Sequence, residues 1–229
     1  MSLTVAMVLR SGGGVFTPLW VERLVRQVRK HLNPDHIVCL SDLELFPSMD
    51  PLRVSSLRHD WPGWFAKLEL FRPGLFSGAT IYFDLDTAIV GPIPRLGETI
   101  VHENRLLLLD DFFRPNLAAT GVMAWMPSPQ TERIYHDFVH NPRIRSGWSN
   151  GDGSLIGAYE HSRLQHVFPG VFGSLKAHRL DRGPIGFKVI CQHGRPKFHE
   201  LPDSHWMYRH WIAEPTAPMC READSKSND

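Results

Sequence analysis

The sequence has few cysteines, almost no net charge and no long hydrophobic run, and each of these absences excludes a class of protein. Its three cysteines, Cys39, Cys191 and Cys220, are scattered and form neither a disulfide framework nor a CxxC zinc motif. Lys and Arg total 25 against 24 Asp and Glu, which leaves no global positive field for nucleic acid or for an anionic membrane. Because no apolar stretch reaches the length of a membrane span and the first residues lack a basic leader, we expect a cytoplasmic protein.

What is present suits one globular domain. The chain has 229 residues, of which 42% are hydrophobic, so it can bury a substantial core. We predict a single domain over residues 1–215 and a disordered tail over residues 216–229, which is short of apolar residues.

Apolar strands alternate with helices along the first two thirds of the chain. The predicted strands are residues 3–10, 36–42, 79–86, 105–111 and 120–127. The predicted helices are residues 17–32, 64–71 and 128–140, with Pro18 and Pro129 at the first position of two of them. This order predicts an α/β/α sandwich around a mostly parallel mixed sheet. The last third, rich in Gly, Pro and His, predicts loops and short strands over one edge.

Two carboxylates lie at the carboxyl end of the third predicted strand, in the stretch IYFDLDTAIVG. Side chains alternate along a strand, so we expect Asp84 and Asp86 to share one face at the carboxyl end of the sheet, where open α/β sheets bind ligands. Burying them unpaired would cost several kcal/mol each. A divalent metal would neutralise both carboxylates. Pairing with nearby Lys or Arg side chains, or exposure to solvent, would also avoid the cost.

The surrounding motifs resemble those of a known family. Residues 61–93, WPGWFAKLELFRPGLFSGATIYFDLDTAIVGPI, resemble the DxD region of GT-A glycosyltransferases, in particular glycosyltransferase family 8. Downstream, TGVMAW is similar to the family's NxGVM strand, NGDGSLIG to its GDQ loop, GSLKAHR to its Ser-x-Lys segment, and CQHGRPKFHEL to its C-terminal HxxGxxKPW element. The resemblance implies the GT-A fold, a Rossmann-like α/β/α sandwich, and covers Arg10 to about Leu201.

The resemblance also implies roles for individual residues. Asp84 and Asp86 would bind Mn²⁺ or Mg²⁺ together with the ribose and diphosphate of a nucleotide-sugar donor, and His193 would be the third metal ligand. Asp152 would lie beside the transferred sugar, and Lys176 would face the diphosphate, which makes these two the catalytic candidates. The remaining candidates for donor binding are Arg10, Ser11, Asp42, Lys67, Gly194 and Lys197.

Three positions depart from the family pattern. Gly153 stands where the family has Gln, Thr120 stands where Asn is usual, and Phe198-His199 replaces Pro-Trp. These three differences bear on how the sugar donor would be positioned and on how active the protein would be.

The resemblance implies a reaction in which a sugar is transferred from a nucleotide-sugar donor to an acceptor hydroxyl. The family's default donor is a UDP-sugar. The family favours retention, in which Asp152 positions the sugar and stabilises charge. Inversion would need a carboxylate base, for which Asp152, Asp110 and Asp111 are the candidates.

Two other functions are open from the sequence. FDLDT and LLLLDD also resemble motifs of haloacid dehalogenase-type phosphatases, but the interval from Asp86 to Asp110 is too short for the strand, helix and Lys that those enzymes place between them. A non-catalytic relative that binds a nucleotide or glycan is the second alternative, motivated by Gly153. We expect Trp61, Trp64 and Phe65 to pack a helix onto the sheet and not to stack on a sugar.

Overall fold

A computed structural model describes residues 2–43, 52–141, 144 and 151–213. The strands are β1 (Leu3–Leu9), β2 (His36–Ser41), β3 (Leu52–Ser56), β4 (Ala79–Phe83), β5 (Thr87–Ile89), β6 (Leu107–Asp110), β7 (Ala118–Trp125), β8 (Ser162–Arg163), β9 (Phe172–Ser174) and β10 (Val189–Cys191). Seven of them form a sheet in the order β3-β2-β1-β4-β7-β6-β8, and β5-β10-β9 form a second sheet. In the main sheet only the pairs that include β7 are antiparallel, which confirms the predicted mostly parallel mixed sheet.

Helices cover both faces of the main sheet. They are α1 (Pro18–His31), α2 (Leu96–Glu103), α3 (Pro129–His140), α4 (Gly151–Ile156), α5 (Leu164–Val167) and α6 (Trp206–Ile212), with 3₁₀ helices η1 (Gly63–Phe71) and η2 (Phe198–Glu200). No helix in the described ranges is both long and apolar enough to cross a bilayer. The edge strand β3 and the helix α2 were not predicted, and the predicted boundary at residue 215 and the tail lie outside the described residues.

The period-two alternation of the central strands creates two cores. In β4, Ile81 and Phe83 pack into the cluster under α1, whereas Tyr82 packs into the cluster under η1 and α3. In β7, Val122 joins the first cluster and Met123 the second. Because each central strand is buried on both faces, its sequence is a continuous apolar run.

The strand that leads to the two aspartates is shorter than predicted. β4 ends at Phe83, and residues 84–86 form a turn in which the amide of Thr87 donates to the carbonyl of Asp84 over 3.0 Å. The chain then leaves the main sheet, since β5 pairs with β10 in the second sheet. Asp84 and Asp86 therefore come together through the corner between two sheets and not through strand alternation.

A buried carboxylate fixes the segment before η1. Glu69 is fully buried and accepts hydrogen bonds from the amides of Arg58 and His59 and, over 2.8 Å, from Arg72. The Arg72 guanidinium also donates to the carbonyl of Ser56 at the end of β3. The ion pair thus ties η1 to the edge of the main sheet.

We predict that Glu69→Ala lowers the free energy of unfolding by about 3–5 kcal/mol, because it leaves the Arg72 charge buried without a partner. The control is Glu98→Ala, whose exposed pair with Arg95 contributes at most about 0.5 kcal/mol. Urea unfolding of the two variants measures both effects. Equal stabilities would contradict the structural role of Glu69.

Candidate active site

The buried ammonium group of Lys67 links two carboxylates from different parts of the fold. Its Nζ lies 2.9 Å from Oδ1 of Asp84, after β4, and 2.8 Å from Oδ2 of Asp152, in α4. Burial favours a lower pKa for Lys67, but the charges of Asp84 and Asp152 outweigh burial and raise the pKa above its ordinary value. The charged side chain therefore holds α4 against the corner between the sheets.

Asp152 has a second donor in β7. The hydroxyl of Thr120 donates to Oδ2 of Asp152 over 2.5 Å. Burial favours a higher pKa for Asp152, but the charge and hydrogen bond of Lys67 and the hydrogen bond of Thr120 hold the pKa below its ordinary value. Asp152 is consequently a fixed negative charge and a weak base. The sequence predicted a loop here, whereas the residue lies in the first turn of a short helix.

Asp86 pairs with a different lysine. It is 8% exposed, and its Oδ2 accepts a hydrogen bond from Nζ of Lys197. Burial and the nearby charge of Asp84 raise the pKa of Asp86 to about 6, against the opposing effect of Lys197. Asp84 also accepts a hydrogen bond from the hydroxyl of Tyr82.

His193 completes the wall of a cavity of about 220 Å³ that Asp84, Asp86, Gly121 and Gly194 also line. Its Nε2 is buried and has no hydrogen-bond partner within the described part of the chain. Burial lowers the pKa of His193, so the ring is neutral near pH 7. A neutral imidazole with a free nitrogen is the form that binds metals.

The side chains that line this cavity are of the types that bind a divalent metal, but they are not grouped as a metal site. Asp84, Asp86 and His193 would supply two carboxylates and one imidazole, a set suited to Mn²⁺ or Mg²⁺. Among the described residues, however, no three His, Cys, Asp or Glu side chains are grouped closely enough to hold an ion. Lys67 pairs with Asp84 and Lys197 pairs with Asp86 instead. Pairing with lysine was one of the alternatives to a metal that the sequence left open. The orphaned Nε2 of His193 is the observation that favours a ligand here.

A larger cavity of about 620 Å³ shares Asp84 and Asp86 with the first. Arg10 and Ser11, at the end of β1, line it together with Lys67 and Lys197. Asp42 does not line it but fixes Ser11, whose amide and hydroxyl donate to the Asp42 carboxylate over 2.8 and 2.5 Å. The two cavities thus bring together most of the predicted donor-binding residues.

Lys176 lies outside the linings of both cavities. Its Nζ donates to the carbonyl of Arg195, beside Gly194, which has a φ of +61°. A Cβ at residue 194 would stand 3.7 Å from that Nζ, so the lysine rests against the turn that follows His193. Its predicted catalytic role stays a prediction.

The other acidic candidates have structural partners. Asp111 accepts hydrogen bonds from the amides of Phe113 and Arg114, and Asp110 pairs with Arg163 over 3.3 Å. None of the three acids lines either of the two cavities, but Asp152 is joined to the site by its ion pair with Lys67, which lines the larger cavity.

Two aromatic residues of the site were missed or misread in the sequence. Tyr82 was not singled out, although its spacing of two from Asp84 was a usable signal. Trp61 and Phe65 were expected to pack a helix onto the sheet, and both rings contact Phe138 of α3. The prediction was wrong for Trp64, which is 60% exposed and lines the larger cavity.

Gly153 has a packing role. A Cβ there would lie 3.2 Å from the carbonyl oxygen of Ala118 in β7, and a Cβ at Gly157, one turn later, would lie 2.8 Å from the Ala118 side chain. The two glycines let α4 approach β7 closely, which brings Asp152 within reach of Thr120. The Gln usual in the family would press on the strand here.

The fold has clear relatives among solved structures. The chain superposes on the galactosyltransferase LgtC, in complex with donor and acceptor sugar analogues, with a TM-score of 0.65 at 11% identity, covering 94% of this chain and 98% of LgtC. It matches the glycosyltransferase GlyE of Streptococcus pneumoniae TIGR4 with a TM-score of 0.64 at 11% identity, covering 92% of this chain and 60% of GlyE. The bifunctional glycosyltransferase WbbM matches with a TM-score of 0.65 at 11% identity, covering 93% of this chain and 50% of WbbM.

The fold of the chain is therefore the GT-A fold, as the motifs implied. No protein-family model and no curated protein match the chain by sequence. The matched GT-A fold also disfavours the phosphatase reading, since the strand before Asp84 here follows an N-terminal β1-α1-β2 crossover.

We predict that Thr120→Val lowers the free energy of unfolding by about 1.5–3 kcal/mol, since it removes a hydrogen bond to the buried Asp152 carboxylate while keeping the side-chain volume. Thr120→Ser retains the hydroxyl and should lose less. Urea unfolding compares the two variants. If Val and Ser are equally stable at this position, the Thr120 hydroxyl does not hold Asp152.

Proposed function

We propose that the chain is a metal-dependent glycosyltransferase that moves a sugar from a UDP-sugar to an acceptor hydroxyl. The observation that carries the proposal is that Asp84, Asp86 and His193 line one cavity of a GT-A fold, beside a larger cavity that shares the two aspartates. The matched structures of this fold are glycosyltransferases, and LgtC was solved with donor and acceptor sugar analogues. We carry over the class of donor and no particular sugar.

Asp84, Asp86 and His193 are the residues that would hold Mn²⁺ or Mg²⁺. When bound, the ion would neutralise the leaving diphosphate as a Lewis acid. Each aspartate has one carboxylate oxygen without a hydrogen bond from the described residues, because Lys67 and Lys197 each occupy a single oxygen. The site can therefore take a cation without first losing both lysine contacts.

Lys197 is placed to serve the diphosphate. Its Nζ reaches Asp86, and the residue lines the larger cavity, so its charge is fixed in advance where negative charge would develop on the leaving group. Lys176, whose ammonium group rests against the turn at Gly194, would add positive charge near the diphosphate at longer range.

The nucleoside would lie in the larger cavity. Arg10 and Ser11 line it at the carboxyl end of β1, the position at which open α/β sheets bind nucleotides. The bonds from Ser11 to Asp42 hold both side chains in place before a ligand arrives.

We propose retention of configuration. The support is the state of Asp152, whose carboxylate is engaged by Lys67 and Thr120 and has a lowered pKa, which suits a group that positions and stabilises positive charge on the sugar and does not suit a general base.

A non-catalytic nucleotide- or glycan-binding protein is the second candidate. Gly153 brings no side chain to the place where the family has Gln, and the close contact with Ala118 leaves little room for one. Donor binding without turnover on any acceptor would favour this candidate.

We predict that UDP binds in the presence of Mn²⁺ and loses at least about tenfold in affinity when the metal is chelated. Asp86→Asn should cause a comparable loss, because it removes one charged ligand of the metal. Isothermal titration calorimetry measures both effects without requiring turnover. Asp203→Asn, at an exposed position, is the matched control and should bind like the natural protein.

The anomeric outcome has its own test. We expect the sugar in the first-formed product, or in the product of slow transfer to water, to keep the anomeric configuration of the donor. Proton NMR of a fresh reaction distinguishes the two anomers. An inverted product would require a base, and the assignment of Asp152 would have to change.

A further inference from the structure

Three largely exposed loops lie beside or include His193: residues 111–117, 176–187 and 193–196. They are neighbours in space, because the ring of Phe112 lies 5.5 Å from the rings of both His178 and His193. Five exposed or half-exposed residues of these loops, named the rim below, are Phe113, Lys176, Arg179, Arg182 and Ile185.

The rim is positively charged, although the net charge of the whole chain is close to zero. Residues 172–197 contain six Lys or Arg and one Asp, although the chain as a whole has a net charge of +1. Lys197 pairs with Asp86, and Arg195 pairs with Glu200. Lys176, Arg179 and Arg182 make no salt bridge with any described residue, although the Lys176 ammonium donates to the carbonyl of Arg195.

The rim also exposes large apolar side chains. Phe113 is 60% exposed and Ile185 is 71% exposed. Ile185 has a φ of +39°, a left-handed conformation that is strained for a β-branched residue. Neither the core nor the backbone geometry therefore accounts for an isoleucine at this position.

We propose that the rim docks on the surface of an anionic lipid bilayer. The three cations, which no acidic side chain of the described residues pairs, are complementary to anionic headgroups, and each basic residue contributes to attraction within about a Debye length of the surface. Phe113 and Ile185 would insert at the boundary between headgroups and acyl chains. A soluble polyanion would satisfy the cations but would leave the two apolar side chains in water. The inference does not depend on the proposed reaction.

Sedimentation with lipid vesicles tests the proposal. The protein should bind vesicles made of equal parts of phosphatidylglycerol and phosphatidylcholine at low salt, and it should not bind phosphatidylcholine alone. Arg179→Gln and Arg182→Gln should each lower the partition coefficient about fivefold. Phe113→Ser combined with Ile185→Asn should lower it at least about tenfold, and Asn suits the left-handed backbone at residue 185.

The control is Leu19→Ser, which removes a side chain that is 42% exposed on α1 and should leave vesicle binding unchanged. Absence of binding to the anionic vesicles would overturn the proposal. Binding that dextran sulfate abolishes by competition and that the Phe113 and Ile185 changes do not affect would also overturn it, in favour of a polyanion partner.

Discussion

The candidate site depends on one buried positive charge. Lys67 in η1 brings Asp84, from the corner after β4, within 2.9 Å and Asp152, from α4, within 2.8 Å of the same ammonium group. Without that charge, the partly buried Asp84 and the more deeply buried Asp152 would lie close together and repel each other. The same arrangement includes the hydrogen bond from Thr120 in β7 to Asp152, and Lys67 also lines the larger cavity.

The corner at Asp84–Asp86 connects the fold to the chemistry. Here the chain passes from the central sheet to the small sheet that carries His193 just beyond β10. A short turn can therefore place side chains from two sheets around one cavity. Lys67 and Lys197 hold the three carboxylates of the site through ion pairs within the protein itself.

Much of this could be predicted from the sequence, and the failures have physical causes. The apolar runs and the Pro18 and Pro129 signals were sufficient for β1, β2, β4, β6, β7, α1 and α3 but not for the edge strand β3, and the motif order was sufficient for the GT-A fold. The alternation rule failed at Asp84 because the chain changes sheets there, a tertiary event that no local pattern reports. Trp64 was misread because exposure depends on the packing of η1, and the rim was missed because the net charge averages over the whole chain.

The most direct test is a double-mutant cycle between Lys67→Met and Asp152→Asn, read as free energies of unfolding. Lys67→Met leaves two carboxylates without their shared cation, and Asp152→Asn in the same chain removes one of them. We predict that the two effects are coupled by about 1–3 kcal/mol, so that the double variant is more stable than the sum of the single losses implies. Effects that add to within about 0.5 kcal/mol would show that Lys67 does not hold Asp152, and the account of the site would fail.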